Sequence, residues 1–166
     1  MLSVNQSLSY LVREAINYFK GELPFSEISI TYSILPKEAF NYERRQYSAD
    51  FLLEYLKRFD NHEKVLGVVD VDIYVEHLNF VFGLAEINGK YALISLFRLN
   101  PKLYGIKNDK LFIERIAKEG LHELGHTFGL EHCSNRRCVM SFSNSIAEVD
   151  HKLAEFCGKC MQKLKL

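Results

Sequence analysis

His122-Glu123-Leu124-Gly125-His126 constrains this chain more than any other stretch. Four residues advance an α-helix by about 6 Å and about 400°, so the two imidazoles share one face. Glu123 lies about 100° round, where it can reach a water on a metal without itself being a ligand. Gly129 follows His126 at a distance of three residues and can end the helix in the left-handed conformation. His132 arrives three residues later, placed to return as a third ligand. Three protein ligands with one open position make up a catalytic zinc site. The competing reading is a solvated helix face with two histidines and a capping glycine, and the full extended spacing weighs against it. His62, His77 and His151 stand outside any ligand spacing and are expected as surface or locally bonded side chains.

All four cysteines follow that helix. Cys133 and Cys138 are separated by four residues, and Cys157 and Cys160 form a Cys-x-x-Cys. Two close pairs with a segment between them match a tetrahedral zinc site of four thiolates. Such a site leaves no room for water, so this second metal would be structural. The chain after Gly129 has 37 residues and few large apolar ones. A metal can hold such a piece folded where burial cannot. Two disulfides would need an oxidising compartment, and a redox dithiol would want a βαβ context. Cys133 directly follows His132, so the two metal sites must be close.

Length and charge exclude other classes. A chain of 166 residues suits one domain with a real core. Lys+Arg and Asp+Glu are both 21, so the net charge is zero and the basic footprint of a nucleic-acid binder is missing. The N-terminal stretch Met1–Gln6 has no basic region followed by an apolar core, and no run is long enough to span a membrane. A cytoplasmic protein is expected, with no nucleic-acid or membrane partner and its thiols reduced.

The periodicity predicts a helix over 7–20 and a strand over 27–34, where Ile28, Ile30, Tyr32 and Ile34 alternate. A helix over 48–59 follows, with Ser48 as N-cap and Phe51, Leu52, Tyr55 and Phe59 along one side. Residues 65–74 read as one buried strand. Strands over 80–87 and 90–98 are joined at Asn88-Gly89, a hairpin signal. A long helix over 109–130, capped by Asp109, carries the stripe Ile113, Ile116, Ala117, Gly120, Leu121, Leu124 and Phe128, with the histidines opposite. Residues 131–144 read as loop, and a last helix starts near 145 and reaches 156 or beyond.

The residues then resemble a known family. His122-Glu123-x-x-His126-x-x-Gly129-x-x-His132 looks like the long zinc signature of the metzincin metallopeptidases, and Met140 fits their Met-turn. Cys133, four residues, Cys138-Val139-Met140 and the closing Cys157-x-x-Cys160 resemble the archaemetzincins, as does Ser141-Phe142-Ser143-Asn144-Ser145. The resemblance implies an α/β (α+β) metzincin-like fold: a mixed twisted sheet with one antiparallel edge strand, a backing helix and an active-site helix. A small C-terminal subdomain with Met-turn and helix would complete it. It implies a single catalytic domain over 1–166, its upper subdomain about 1–129 and its zinc-stapled lower one about 130–166; a monomer is expected.

It further implies two zinc ions per chain: a catalytic one on His122, His126 and His132, and a structural one on Cys133, Cys138, Cys157 and Cys160. Glu123 would be general base and acid in peptide-bond hydrolysis, and a peptide or protein substrate would add as a strand near Phe80–Leu84. Neither tyrosine nor arginine follows Met140, where some metzincins place an oxyanion-stabilising tyrosine. The alternative is a catalytically weak or inactive zinc protein that binds peptides or a partner in the same cleft.

Overall fold

Val65–Val69 (β4) and Tyr91–Ser95 (β7) are the two strands on which the fold is hung. The computed structural model describes residues 2–3, 6–24, 27–59 and 61–164, with the backbone alone for 2–3 and 6–7. Met1, Val4 and Asn5 of the N-terminal stretch lie outside this set, as do Lys165 and Leu166. β4 and β7 pair in parallel, from Val65 opposite Tyr91 to Val69 opposite Ser95. A parallel pair of this kind is covered on both faces, which is why both strands read as continuous apolar runs. Leu2–Ser3 (β1) pairs in parallel with the other side of β4, and Gly83–Ala85 (β6) pairs antiparallel with β7. The sheet order is therefore β1-β4-β7-β6, mixed, with an antiparallel edge strand as expected.

One face carries the helices Gln6–Glu22 (α1) and Asp109–Thr127 (α3). Leu11, Val12 and Ala15 of α1 and Ile116 and Ala117 of α3 close over Val68 and Ile94 in one apolar cluster. Each leucine, valine or isoleucine side chain so removed from water contributes about 1.5–3 kcal/mol. The opposite face carries Ala49–Tyr55 (α2), whose Leu52 and the following Leu56 pack on Val65, Val69 and Leu93. A small second sheet of Phe40–Asn41 (β2), Gln46–Ser48 (β3) and Ile73–Tyr74 (β5) lies in the order β2-β3-β5.

Several expectations are corrected. Residues 27–34 form no strand beyond a single bridge at Tyr32. The place beside β4 is taken by β1, and Ile34 stands 86% exposed. Ser48 does cap α2, accepting from the Phe51 N–H. The helix tightens into a 3₁₀ turn at Leu56–Phe59, however, and buries Ala49, Leu52 and Leu56 while Phe51 points outward. The run 65–74 is two strands of different sheets, because the chain leaves β4 at Asp70-Val71-Asp72. Ser95 Oγ donates to Val71 O there, and Arg98 forks onto Asp72 at 2.7 Å. The hairpin turns where expected, with Asn88 at positive φ.

The cap of α3 is Asn108, whose side chain accepts from the Leu111 N–H, not Asp109. α3 ends at Thr127, short of the expected 130. It is also buried all round from Arg115 to Thr127, so its histidine face is covered instead of open. Residues 131–144 hold neither helix nor strand, as expected. The last helix is two: Ile146–His151 (α4) and Gly158–Leu164 (α5), with extended Lys152 ending the first.

Candidate metal centre and active-site cleft

The end of α3 builds the histidine group. At its C-terminus Gly129 takes φ +85, its N–H donates to His126 O, and the Leu130 N–H reaches back to Gly125 O. This six-to-one and five-to-two pairing is a Schellman closure, with Leu130 buried beneath it. The hairpin and a lysine finish the helix end. Asn88 N–H donates to His126 O at 2.8 Å, and Lys64 Nζ donates to Thr127 O at 2.8 Å. A cation there complements the negative end of the helix dipole.

The reversal of the chain aims His132 at the helix. One ligand atom from each of His122, His126 and His132 lies within 4.8 Å of the others, and the first two side chains are buried while the third is exposed. His122 Nδ1 stands 2.8 Å from Val139 O and His126 Nδ1 stands 2.7 Å from Leu130 O. A carbonyl only accepts, so both Nδ1 atoms carry the proton and both Nε2 atoms carry a lone pair. Those two Nε2 atoms face each other at 3.2 Å. Two lone pairs at that distance repel unless a cation sits between them, and a carbonyl accepting from Nδ1 is the usual support of a ligating histidine. Burial, then the nearby Lys152 ammonium, holds His122 well below the usual imidazole range, in the neutral form that ligates. The residues fit a zinc ion.

Glu123 is buried beside this group. Burial first, and the Glu119 carboxylate second, push it well above the usual carboxylate range. Lys152 opposes them, its Nζ lying 2.8 Å from Glu119 Oε1. That contact is off the axis of a hydrogen bond, so charge alone holds the pair. Arg115 forks onto Asp150 at 2.7 Å and fastens α4 to α3.

The four cysteines form a second group, each sulfur within 4.8 Å of the others. Cys133 Sγ to Cys157 Sγ and Cys138 Sγ to Cys160 Sγ are both 3.7 Å. Tetrahedral zinc–thiolate bonds of about 2.3 Å put sulfurs about 3.8 Å apart, whereas a disulfide puts them about 2 Å apart. This group too fits zinc. The two groups share a backbone: Cys133 follows His132, its N–H donates to Met140 O, and Val139, whose carbonyl orients His122, follows Cys138. His62, His77 and His151 are exposed and belong to neither group.

The profile of peptidase family M54 matches residues 12–166. The archaemetzincin of Methanocaldococcus jannaschii is 48% identical over 158 residues, covering 92% of this chain and 86% of the relative. The chain belongs to peptidase family M54. The crystal structure of the archaemetzincin of Methanopyrus kandleri superposes with a TM-score of 0.90 at 38% identity, over 99% of this chain and 90% of that one. A zinc-dependent peptidase from Methanocorpusculum labreanum superposes with a TM-score of 0.80 at 33% identity, over 98% and 97%. This M54 chain is accordingly a zinc metallopeptidase of the archaemetzincin type, acting on peptides or proteins.

Within this M54 peptidase several site residues escape sequence reasoning. Glu119 and Lys152 meet across the fold with no spacing to betray them. In sequence Asn88 marks only a turn, yet its N–H also ties the hairpin to the histidine helix. Met140 is fully buried, its sulfur seated 2.5 Å from where a β-carbon on Gly125 would stand. No helix among the described residues is long and apolar enough to cross a membrane.

Proposed function

We propose that His122, His126 and His132 hold the catalytic zinc and that Glu123 is the general base and acid of peptide hydrolysis. The observation that carries this reading is the convergence of His122 Nε2, His126 Nε2 and a His132 nitrogen beside a buried carboxylate. Bound zinc supplies Lewis-acid polarisation of the scissile carbonyl and makes water acidic enough to deprotonate near neutral pH. Glu123 takes the proton of the attacking water and delivers it to the leaving amine. A carboxyl with a raised proton affinity suits both halves of that task.

The substrate adds as a strand to the outer edge of β6. The ladder supports this. Ser95 N–H donates to Phe82 O and Glu86 N–H donates to Tyr91 O, so Phe82, Leu84 and Glu86 turn their main chain to β7. Gly83 and Ala85 then turn theirs outward. Cys133, Cys138, Cys157 and Cys160 hold a second, structural zinc, making two per chain. The sulfur spacing supports it. The protein works as a cytoplasmic monomer of one catalytic domain, with Met140 as the turn beneath the zinc ligands and 130–166 as the small subdomain.

A diverse peptide library, digested with wild type and with Glu123→Ala, tests the assignment. Cleavage by the wild type alone, with zinc content equal in both, is the expected result. The loss should be about 100-fold or more. Cleavage surviving in the variant would remove Glu123 from the role of base. No cleavage by either protein would leave a cleft that binds peptides without hydrolysing them.

A further inference from the structure

Gly83 is the first residue of β6, the sheet edge just described. A β-carbon there would stand 2.6 Å from Glu123 Cγ and 2.6 Å from Glu123 Oε1. The Glu123 side chain therefore fills the volume that any other residue at position 83 would need, since protein interiors leave no slack of that size. Glu123 is 6% exposed, so it has little freedom to step aside. The same β-carbon would stand 2.7 Å from Leu93 O, a second contact that involves backbone alone.

The edge gives a separate reason to look at this residue. The ladder turns the main chain of Val81, Gly83 and Ala85 away from β7. The Val81 N–H is already taken by Ile73 O of β5. Gly83 is the next outward position, and no hydrogen bond among the described residues uses its outward groups. One residue thus meets the carboxylate through its missing side chain and offers open main chain to an extended peptide.

We infer that Gly83 is a positioning residue: its missing side chain seats the Glu123 carboxylate against the strand edge where substrate backbone pairs. The inference rests on the general-base reading of Glu123 for its catalytic consequence, but not for the packing it describes. A methyl group at position 83 pushes the carboxylate off its seat while leaving His122, His126 and His132 in place. Displacing a reacting group by about 1 Å costs on the order of 100-fold in rate.

A double-mutant cycle on the zinc-loaded protein tests it, with Gly83→Ala and Glu123→Ala alone and together. Thermal melts are read first. Gly83→Ala should lower the melting midpoint by several degrees in the wild-type background and clearly less beside Glu123→Ala, where the carboxylate is gone. Equal shifts in both backgrounds would assign the glycine to Leu93 O alone and overturn the inference. Should Gly83→Ala fail to fold by itself, a folded double variant meets the expectation and an unfolded one overturns it. Kinetics on a cleaved peptide are read second. Gly83→Ala should lower kcat about 100-fold with KM within about twofold and zinc content unchanged. Full kcat would overturn the inference. Cleavage by Glu123→Ala would sink the general-base reading instead, and the melt cycle would still decide the packing.

Discussion

At the scale of single residues, two carbonyls and one glycine set the histidine group. Val139 O and Leu130 O fix the tautomers of His122 and His126, and Gly129 turns the chain so that His132 comes back. Gly129 has room for a methyl group, since its nearest neighbour, Asn88 Oδ1, would be 3.5 Å away. The cost of Gly129→Ala is therefore conformational: a left-handed alanine should lose about 1–2 kcal/mol in urea unfolding. An unchanged midpoint would contradict that φ. The histidine and cysteine groups are legible because helical geometry turns a spacing of four into a shared face, and because cysteine pairs are local. Gly83, Glu119 and Lys152 are not, because each acts on a residue far away in the chain.

At the scale of elements, α3 carries His122, Glu123 and His126, and its boundaries depend on its caps. Asn108 accepts from Leu111 N–H, so Asn108→Ala should cost about 0.5–2 kcal/mol. Asp109→Ala should cost less, since it removes only a charge near the helix start, worth about 0.3–1 kcal/mol. Chemical denaturation of the two variants checks the order, and a larger loss for Asp109→Ala would contradict the cap. Sequence periodicity found α1, α3, the hairpin and Ser48 as a cap. It failed where two readings have the same period: Phe51, Tyr55 and Phe59 recur like a helix face just as Ala49, Leu52 and Leu56 do. Only the position of the sheet decides between them. The apolar run 65–74 failed for a related reason, since a buried strand looks the same whether one sheet or two receives it.

At the scale of the whole molecule, the C-terminal part is held to the rest by few means. Its apolar contribution comes from Leu130, Val139, Met140 and Phe156 against Leu121 and Leu124, and from Val149 in the cluster of Phe112 and Ile116. Arg115 with Asp150 and Lys152 with Glu119 add two ion pairs. Replacing Cys157 and Cys160 with serine should therefore lower the melting midpoint and raise hydrogen exchange across 130–164, while the sheet of β4 and β7 stays protected. An unchanged melt would refute a structural metal on the cysteines. The sequence pattern supports a mixed sheet ending in an antiparallel strand, and the pairing of β6 with β7 bears it out. What it could not convey is that the histidine and cysteine groups share one backbone through Val139, which only the folded loop from 132 to 140 reveals. The account stands or falls on where zinc is held. Zinc counted per chain in dialysed protein should be two for the wild type and one for the variant with His122→Ala and His126→Ala. Two zinc ions retained by that histidine variant would contradict it.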